Sequence, residues 1–205
     1  MVALCIHSEP GALFLILFLW NLPLALAGIV NRTIDDRFGD SVTFQRVTYL
    51  PTTSTVWQDR SCRKCLIQLD ISRAFKGTYA AATYNPQLGP VSITMKFNGK
   101  INWSPLLFPL SIHHSSSAGT AIYVFFILLN NAGAGVTSLT LANFTLDGTK
   151  PELFQHAPDL TRTNVDYNQL VYSKQDLINA EHTLVISISG VKANVYINFD
   201  YVIYR

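Results

Sequence analysis

HTLVISISGVKANVYINFDYVIY, residues 182–204, decides the fold class. In its first half Leu184, Ile186 and Ile188 alternate with Thr183, Val185 and Ser187, the period-two signature of a strand with one buried face. Beyond the turn residues Ser189-Gly190, a second alternation sets Val195, Ile197, Phe199, Tyr201 and Ile203 in one row. The opposite row is Asn194, Tyr196, Asn198, Asp200, Val202 and Tyr204. A row that polar predicts either a solvated surface or a polar floor for a ligand.

The same texture extends back to Val30. SVTFQRVTY (41–49), with Val42, Phe44 and Val47 as inward candidates, GTYAAATY (77–84) and VSITMKF (91–97) all read as strands. So do AIYVFFILL (121–129), LTLANFTL (139–146) and QLVYS (169–173). Turn residues punctuate them at Asn85-Pro86, Gly89-Pro90, Asn130-Asn131 and Asp147-Gly148. One helical stretch is predicted, Gln175 to Ala180, and no internal repeat is visible. The expected architecture is all-β: a two-sheet antiparallel β-sandwich of the jelly-roll type.

The 205 residues suit one domain. Only 14% are charged against 49% apolar, and the 15 Lys and Arg residues are scattered, so no basic stripe points to nucleic acid. The first 27 residues read as a signal peptide: an apolar core from Ala12 to Leu26, interrupted by Asn21 and Pro23, then Ala25-Leu26-Ala27, with cleavage after Ala27. An uncleaved N-terminal anchor is the alternative. Residues 28–205 then form a single sandwich domain outside the cell, with no membrane span after cleavage.

Residues 100–118 interrupt this pattern. Removing them leaves VSITMKFNGTAIYVFFILL, in which two strands meet at Asn-Gly, as a tight hairpin or as a corner where the chain changes sheets. Pro105, Pro109 and Ser115 to Ser117 oppose sheet pairing, while Trp103, Leu106, Leu107, Phe108 and Leu110 are too apolar for an exposed loop. The expectation is an irregular insertion, translated from a retained intron or else a true loop insertion.

Chemistry-bearing residues are few. Cys62 and Cys65 are the only cysteines after leader removal, and in an oxidising compartment they predict a local disulfide. Asp35, Asp36 and Asp40 crowd one loop and offer hard oxygen ligands for Ca²⁺, or simply a solvated, capped turn. Gly39-Asp40-Ser41 echoes an esterase nucleophile block but lacks its strand-to-helix setting, and His156 and His182 have no evident carboxylate partner in sequence. Glu152 and Glu181 are the only mature glutamates, and nothing pairs them across a cleft. No catalytic residue and no cofactor is implied. Asn31 and Asn143 head N-glycosylation triplets. Trp57, Tyr79 and Tyr196, with Asn198 and Asp200, are the candidate ligand-binding residues, because a sugar presents an apolar face and a rim of hydroxyls.

NRTIDDRFGDSV, YLPTTSTVWQDRSCRKC, AFKGTYAAATYNP, GTAIYVFFIL, NFTLDG and NVYINFDYVIY, in that order, resemble a large group of secreted or single-span proteins of mushroom-forming fungi. Their domain resembles the galactose-binding-like jelly roll, and the likeness runs from about Ile29 to Tyr204. It implies a fold and an extracellular location, but supplies no sugar-binding residues. In such proteins the stretch matching Phe97 to Phe125 is unbroken, and many continue into a membrane helix beyond the position of Arg205. The expected function is a secreted, non-catalytic domain binding a glycan or another cell-surface or cell-wall component. The alternatives are an extracellular hydrolase of esterase or glycosidase type and a structural ectodomain without a small ligand.

Overall fold

The computed structural model describes residues 30–53, 55–98 and 120–205. The expected leader and the expected insertion at 100–118 lie outside the described residues. Two antiparallel sheets face each other. The first holds β1 (Arg32–Asp35), β2 (Gly39–Asp40), β4 (Ala80–Tyr84), β6 (Thr120–Leu128), β9 (Asp166–Leu177) and β11 (Val195–Tyr204). Its order is β2-β1-β11-β6-β9, with β4 also paired to β11. The second holds β3 (Thr48–Leu50), β5 (Val91–Asn98), β7 (Thr140–Leu146), β8 (Glu152–His156) and β10 (Glu181–Ile188), in the order β3-β5-β10-β7-β8. From β3 to β11 almost every connection crosses between the layers, as in a jelly roll.

The main core lies between the sheets. Ile93, Phe126, Phe144, Leu184, Ile186 and Phe199 are fully buried there. Phe144 stacks on Tyr172 at 4.8 Å, and Phe126 meets Phe199 edge-on at 6.3 Å. β10 follows its alternation: Leu184, Ile186 and Ile188 point into the core. Among the described residues no helix is long and apolar enough to cross a membrane.

Three expectations are corrected. First, β11 does not keep one phase. Its pairing with β6 slips between Phe199 and Tyr201, so one extra residue, Asp200, reverses the faces. Val195, Ile197 and Phe199 fill the main core, but beyond the slip Val202 and Tyr204 fill it instead of Tyr201 and Ile203. Second, residues 41–47 are not a strand. Asp40 caps a turn by accepting the Val42 and Thr43 amides at 2.7 and 2.8 Å, which leaves Val42 and Phe44 exposed; of the three inward candidates only Val47 is buried. Gly39 is required at this turn: at φ +76° an added Cβ would lie 2.4 Å from the Gln45 carbonyl oxygen. Third, Gln175 to Leu177 end β9 and Ile178 to Ala180 form a bend, so no helix occurs there. β5 and β6 lie in different sheets, which agrees with the change of sheet, one of the two readings the sequence left open, and not with a hairpin.

Candidate functional site

The outer face of the first sheet is roofed rather than solvated. Residues 58–79 run across it with little regular structure beyond one short 3₁₀ turn at Phe75–Gly77. A second, smaller core of Ala74, Tyr79, Ala81, Ile127, Leu129, Tyr167 and Tyr196 forms beneath them, with Ile67, Leu69 and Val165 at its margin. The roof is pinned in several places. Gln58 forms an isolated bridge with Ala81. The Asp70 amide donates to the Tyr167 hydroxyl at 2.8 Å, and the Phe75 amide donates to Asp200 Oδ1 at 2.9 Å. Cys62 and Cys65 are joined in a disulfide, as expected.

Where the roof lifts from the sheet it leaves a cavity of about 290 Å³. Its floor comes from alternate positions of the two paired strands: Tyr79, Ala81 and Thr83 on β4 and the residue before it, and Tyr196 on β11, which lies directly across from Thr83. Gln58, Asp59, Cys65, Leu66 and Ile67 form one wall, and Gly135, Val136 and Thr137 the other. Asn198 donates to the Tyr196 hydroxyl at 3.1 Å, so that hydroxyl keeps its own proton for a further acceptor. Burial raises the pKa of both tyrosine hydroxyls, and Asp59 adds to this at Tyr79, so both rings carry neutral O–H donors. Asp59 is held ionised by the Ser61 hydroxyl and amide. Apolar Leu66, Ile67 and Val136 thus face a cluster of hydroxyl, amide and carboxylate groups.

Of the five ligand-binding candidates, Tyr79 and Tyr196 meet in this cavity and three do not enter it. Trp57 packs against Tyr49 at 4.9 Å and donates its indole N–H to the Leu50 carbonyl at 3.1 Å, a corner contact at the edge of the main core. Asn198 and Asp200 have no solvent exposure, because the roof covers them. The solvated row and the open polar platform expected of β11 are therefore both absent. Gln58, Thr83 and Thr137 were missed by sequence reasoning. The alternation Tyr79, Ala81, Thr83 was the available signal, but only the position of the roof shows which row lines a cavity.

The three aspartates of the β1–β2 region are buried rather than solvated. Asp35 Oδ1 accepts the Arg37 and Phe38 amides at 2.9 and 2.7 Å, and Thr78 donates its hydroxyl to Asp36 at 2.6 Å. Asp40 turns away and accepts the Tyr204 hydroxyl, so the three do not converge as a Ca²⁺ set. Among the described residues no group of three or more His, Cys, Asp or Glu is placed to hold a metal. Burial, with like charge from Asp35 and Asp200, raises Asp36 to about 7. Burial and Asp35 likewise raise Asp200 to about 7, and its Oδ2 has no partner among the described residues.

His182 does have a carboxylate partner, which the sequence hid: Asp147 Oδ2 lies 2.6 Å from Nδ1. Its Nε2 faces the Ile178 carbonyl at 2.8 Å, so neither nitrogen is free to take a proton from a nucleophile. His156 Nε2 faces the Leu129 carbonyl at 3.0 Å. Ser41 accepts the Thr33 amide at 3.1 Å, a turn contact. Glu152 and Glu181 pair with Lys174 and Lys96 at 3.0 and 2.9 Å on the surface. A larger groove of about 690 Å³ lies beside His182; the Lys174–Glu152 and Asp147–His182 pairs engage part of its charged lining, which also includes Lys150 and Asp176. The smaller cavity, with unspent hydroxyls, is the better candidate.

No family model matches the chain, and no curated protein matches it in sequence. Among solved structures, an exo-β-1,3-galactanase from Phanerochaete chrysosporium, in complex with β-1,3-galactotriose, is similar at 11% identity and a TM-score of 0.42. That match covers 85% of this chain and 29% of the galactanase chain, so this chain spans less than a third of its length. A family 35 carbohydrate binding module from Clostridium thermocellum is similar at 14% identity and a TM-score of 0.36, covering 67% of this chain and 84% of the module.

Proposed function

We propose that the chain is an exported, non-catalytic domain that binds a saccharide in the cavity beneath the Cys62–Cys65 loop. The observation that carries this reading is the meeting of Tyr79 and Tyr196 on a floor bounded by Leu66, Ile67 and Val136 on the sides and by Gln58, Asp59, Thr83 and Thr137 at polar points. A pyranose ring needs both kinds of surface at once, apolar for its C–H face and polar for its hydroxyls. The volume suits one sugar unit with water rather than a long chain. A disulfide closed over three residues of sequence separation supports an oxidising compartment, in line with the apolar leader. The cavity contributes a single carboxylate, Asp59, and no histidine, which supports binding rather than glycoside hydrolysis, where two carboxyl groups act together.

An array of neutral and acidic glycans probed with the secreted domain, followed by calorimetry on any hit, tests the reading. The expected result is a hit whose binding is lost on filling the cavity from Thr83. Absence of every hit at millimolar sugar would leave a structural ectodomain as the function.

A further inference from the structure

The outer face of the second sheet carries a feature that the cavity does not use. Asn143 sits in the middle of β7, directly across from Leu153 of β8 and Ser187 of β10. It belongs to the outward row with Leu141 and Thr145, while Ala142, Phe144 and Leu146 point into the core. Around it Leu141, Leu153, Gln155, Ser187 and Val191 enclose a groove of about 330 Å³. The groove is mostly apolar, and Leu153 is 65% exposed within it. Among the described residues the Asn143 side chain has no hydrogen-bond partner. Asn143-Phe144-Thr145 is also an acceptor triplet for N-glycosylation.

We propose that Asn143 carries an N-linked glycan whose first N-acetylglucosamine lies along this groove, so that the chain's own sugar covers the outer face of the second sheet. An outward-pointing residue in mid-strand can carry a bulky substituent without disturbing the core, because successive side chains alternate between faces. The C–H face and acetyl methyl of the sugar match Leu153, Leu141 and Val191, and its hydroxyls have Ser187 and Gln155 within the same groove. Attachment precedes folding and requires export. The Asn143 amide nitrogen attacks C1 of the first sugar of a polyprenyl-diphosphate-linked oligosaccharide. The N–C1 bond forms, the C1–O bond to the diphosphate breaks, polyprenyl diphosphate departs and one amide proton passes to solvent. This inference does not depend on the cavity beneath the disulfide loop.

The full chain, leader included, is expressed in a secreting eukaryotic cell and its peptides are weighed. The expected result is an occupied Asn143. Endoglycosidase trimming to a single N-acetylglucosamine should leave a protein that melts about 2–4 °C above Asn143→Gln, the shift that ~1 kcal/mol produces at this chain length. Thr145→Ala, which removes the glycan but keeps the asparagine, should show the same lowered melting point. Amidase release of the last sugar should be slower from the folded than from the denatured chain. A bare Asn143, whether the chain is exported or retained, overturns the proposal. So does an occupied site whose trimmed form melts with Asn143→Gln and Thr145→Ala.

Discussion

The Asp147 carboxylate reaches Nδ1 of His182 at 2.6 Å and, through its other oxygen, the Thr183 amide at 2.8 Å. Asp147 stands at φ 51° at the end of β7, and the Thr183 carbonyl accepts its amide at 2.9 Å. One residue therefore closes the β7–β8 turn against the start of β10, with the histidine ring buried under it.

Removing this clamp should cost stability without changing the fold. Asp147→Ala is expected to lower the unfolding free energy by about 1–3 kcal/mol, since it leaves the buried imidazole facing one acceptor fewer. Burial pushes the Asp147 carboxyl up, but the His182 and Thr183 hydrogen bonds together hold it below its ordinary range. Its stabilisation is thus present above the ordinary carboxylate pKa and is lost as pH falls through the lower folded value. Urea titration at several acid pH values, comparing wild type with the variant, reads both effects.

Asp36 and Asp200 predict the opposite slope. Both hold their protons to about 7 in the folded chain, against 3.8 as the ordinary value. Between those values the folded state binds more protons than the unfolded one, so stability falls as pH rises from about 4 to about 7. Measured in EDTA, which removes divalent cations as a variable, the wild type should lose on the order of a few kcal/mol across this interval. Asp200→Asn should remove about half of that slope, leaving the share of Asp36, whose shift comes mainly from its own burial, and the contribution of Asp147 at lower pH. A slope unchanged by Asp200→Asn would contradict the assignment.

Occupancy of the cavity can be separated from folding at Thr83, which is exposed on the floor while its neighbours Ala82 and Tyr84 are buried. Thr83→Arg should abolish sugar binding and move the melting point by less than about 2 °C, as surface substitutions do. Tyr79→Phe should weaken binding by roughly 2- to 13-fold, the range for one net hydrogen bond. Calorimetry beside thermal melting separates the two.

The disulfide is expected to shape the wall more than to hold the domain. Closing so short a loop restricts the unfolded chain by only about 2 kcal/mol. Cys62→Ser with Cys65→Ser should therefore fold and melt a few degrees lower. Leu66 and Ile67, next to Cys65, line the cavity, so the same variant should lose most of its sugar affinity. Full affinity in the double variant would remove Cys65 and its neighbours from the binding surface.

What could be read from the sequence followed one physical rule. β10 was legible residue by residue, because its regular ladders with β5 and β7 keep a strict period of two and only one of its faces is buried. β11 was legible as a strand but not in its faces. Asp200 is inserted out of register, and the roof of residues 58–79 buries the part of the row that looked polar. The candidate site divided along the same line. Tyr79 and Tyr196 were visible as aromatic residues on strand rows, and Cys62 and Cys65 as a pair. Asp147 and His182, 35 positions apart, meet only through the pairing of β7 with β10.

The passage of the chain from Asn98 at the end of β5 to Thr120 at the start of β6 has a consequence for how the gene can change. Because those strands belong to opposite layers, no ladder rung spans the link, and lengthening it breaks none of the pairings on either side. Each doubling of such a tether adds only about 0.6 kcal/mol of closure entropy. The sandwich thus has a seam at which foreign sequence, of whatever origin, can enter at small thermodynamic penalty, whereas the same addition in the β9–β10 link would have to be accommodated beside the Asp147 clamp, where the Ile178 carbonyl meets the His182 ring.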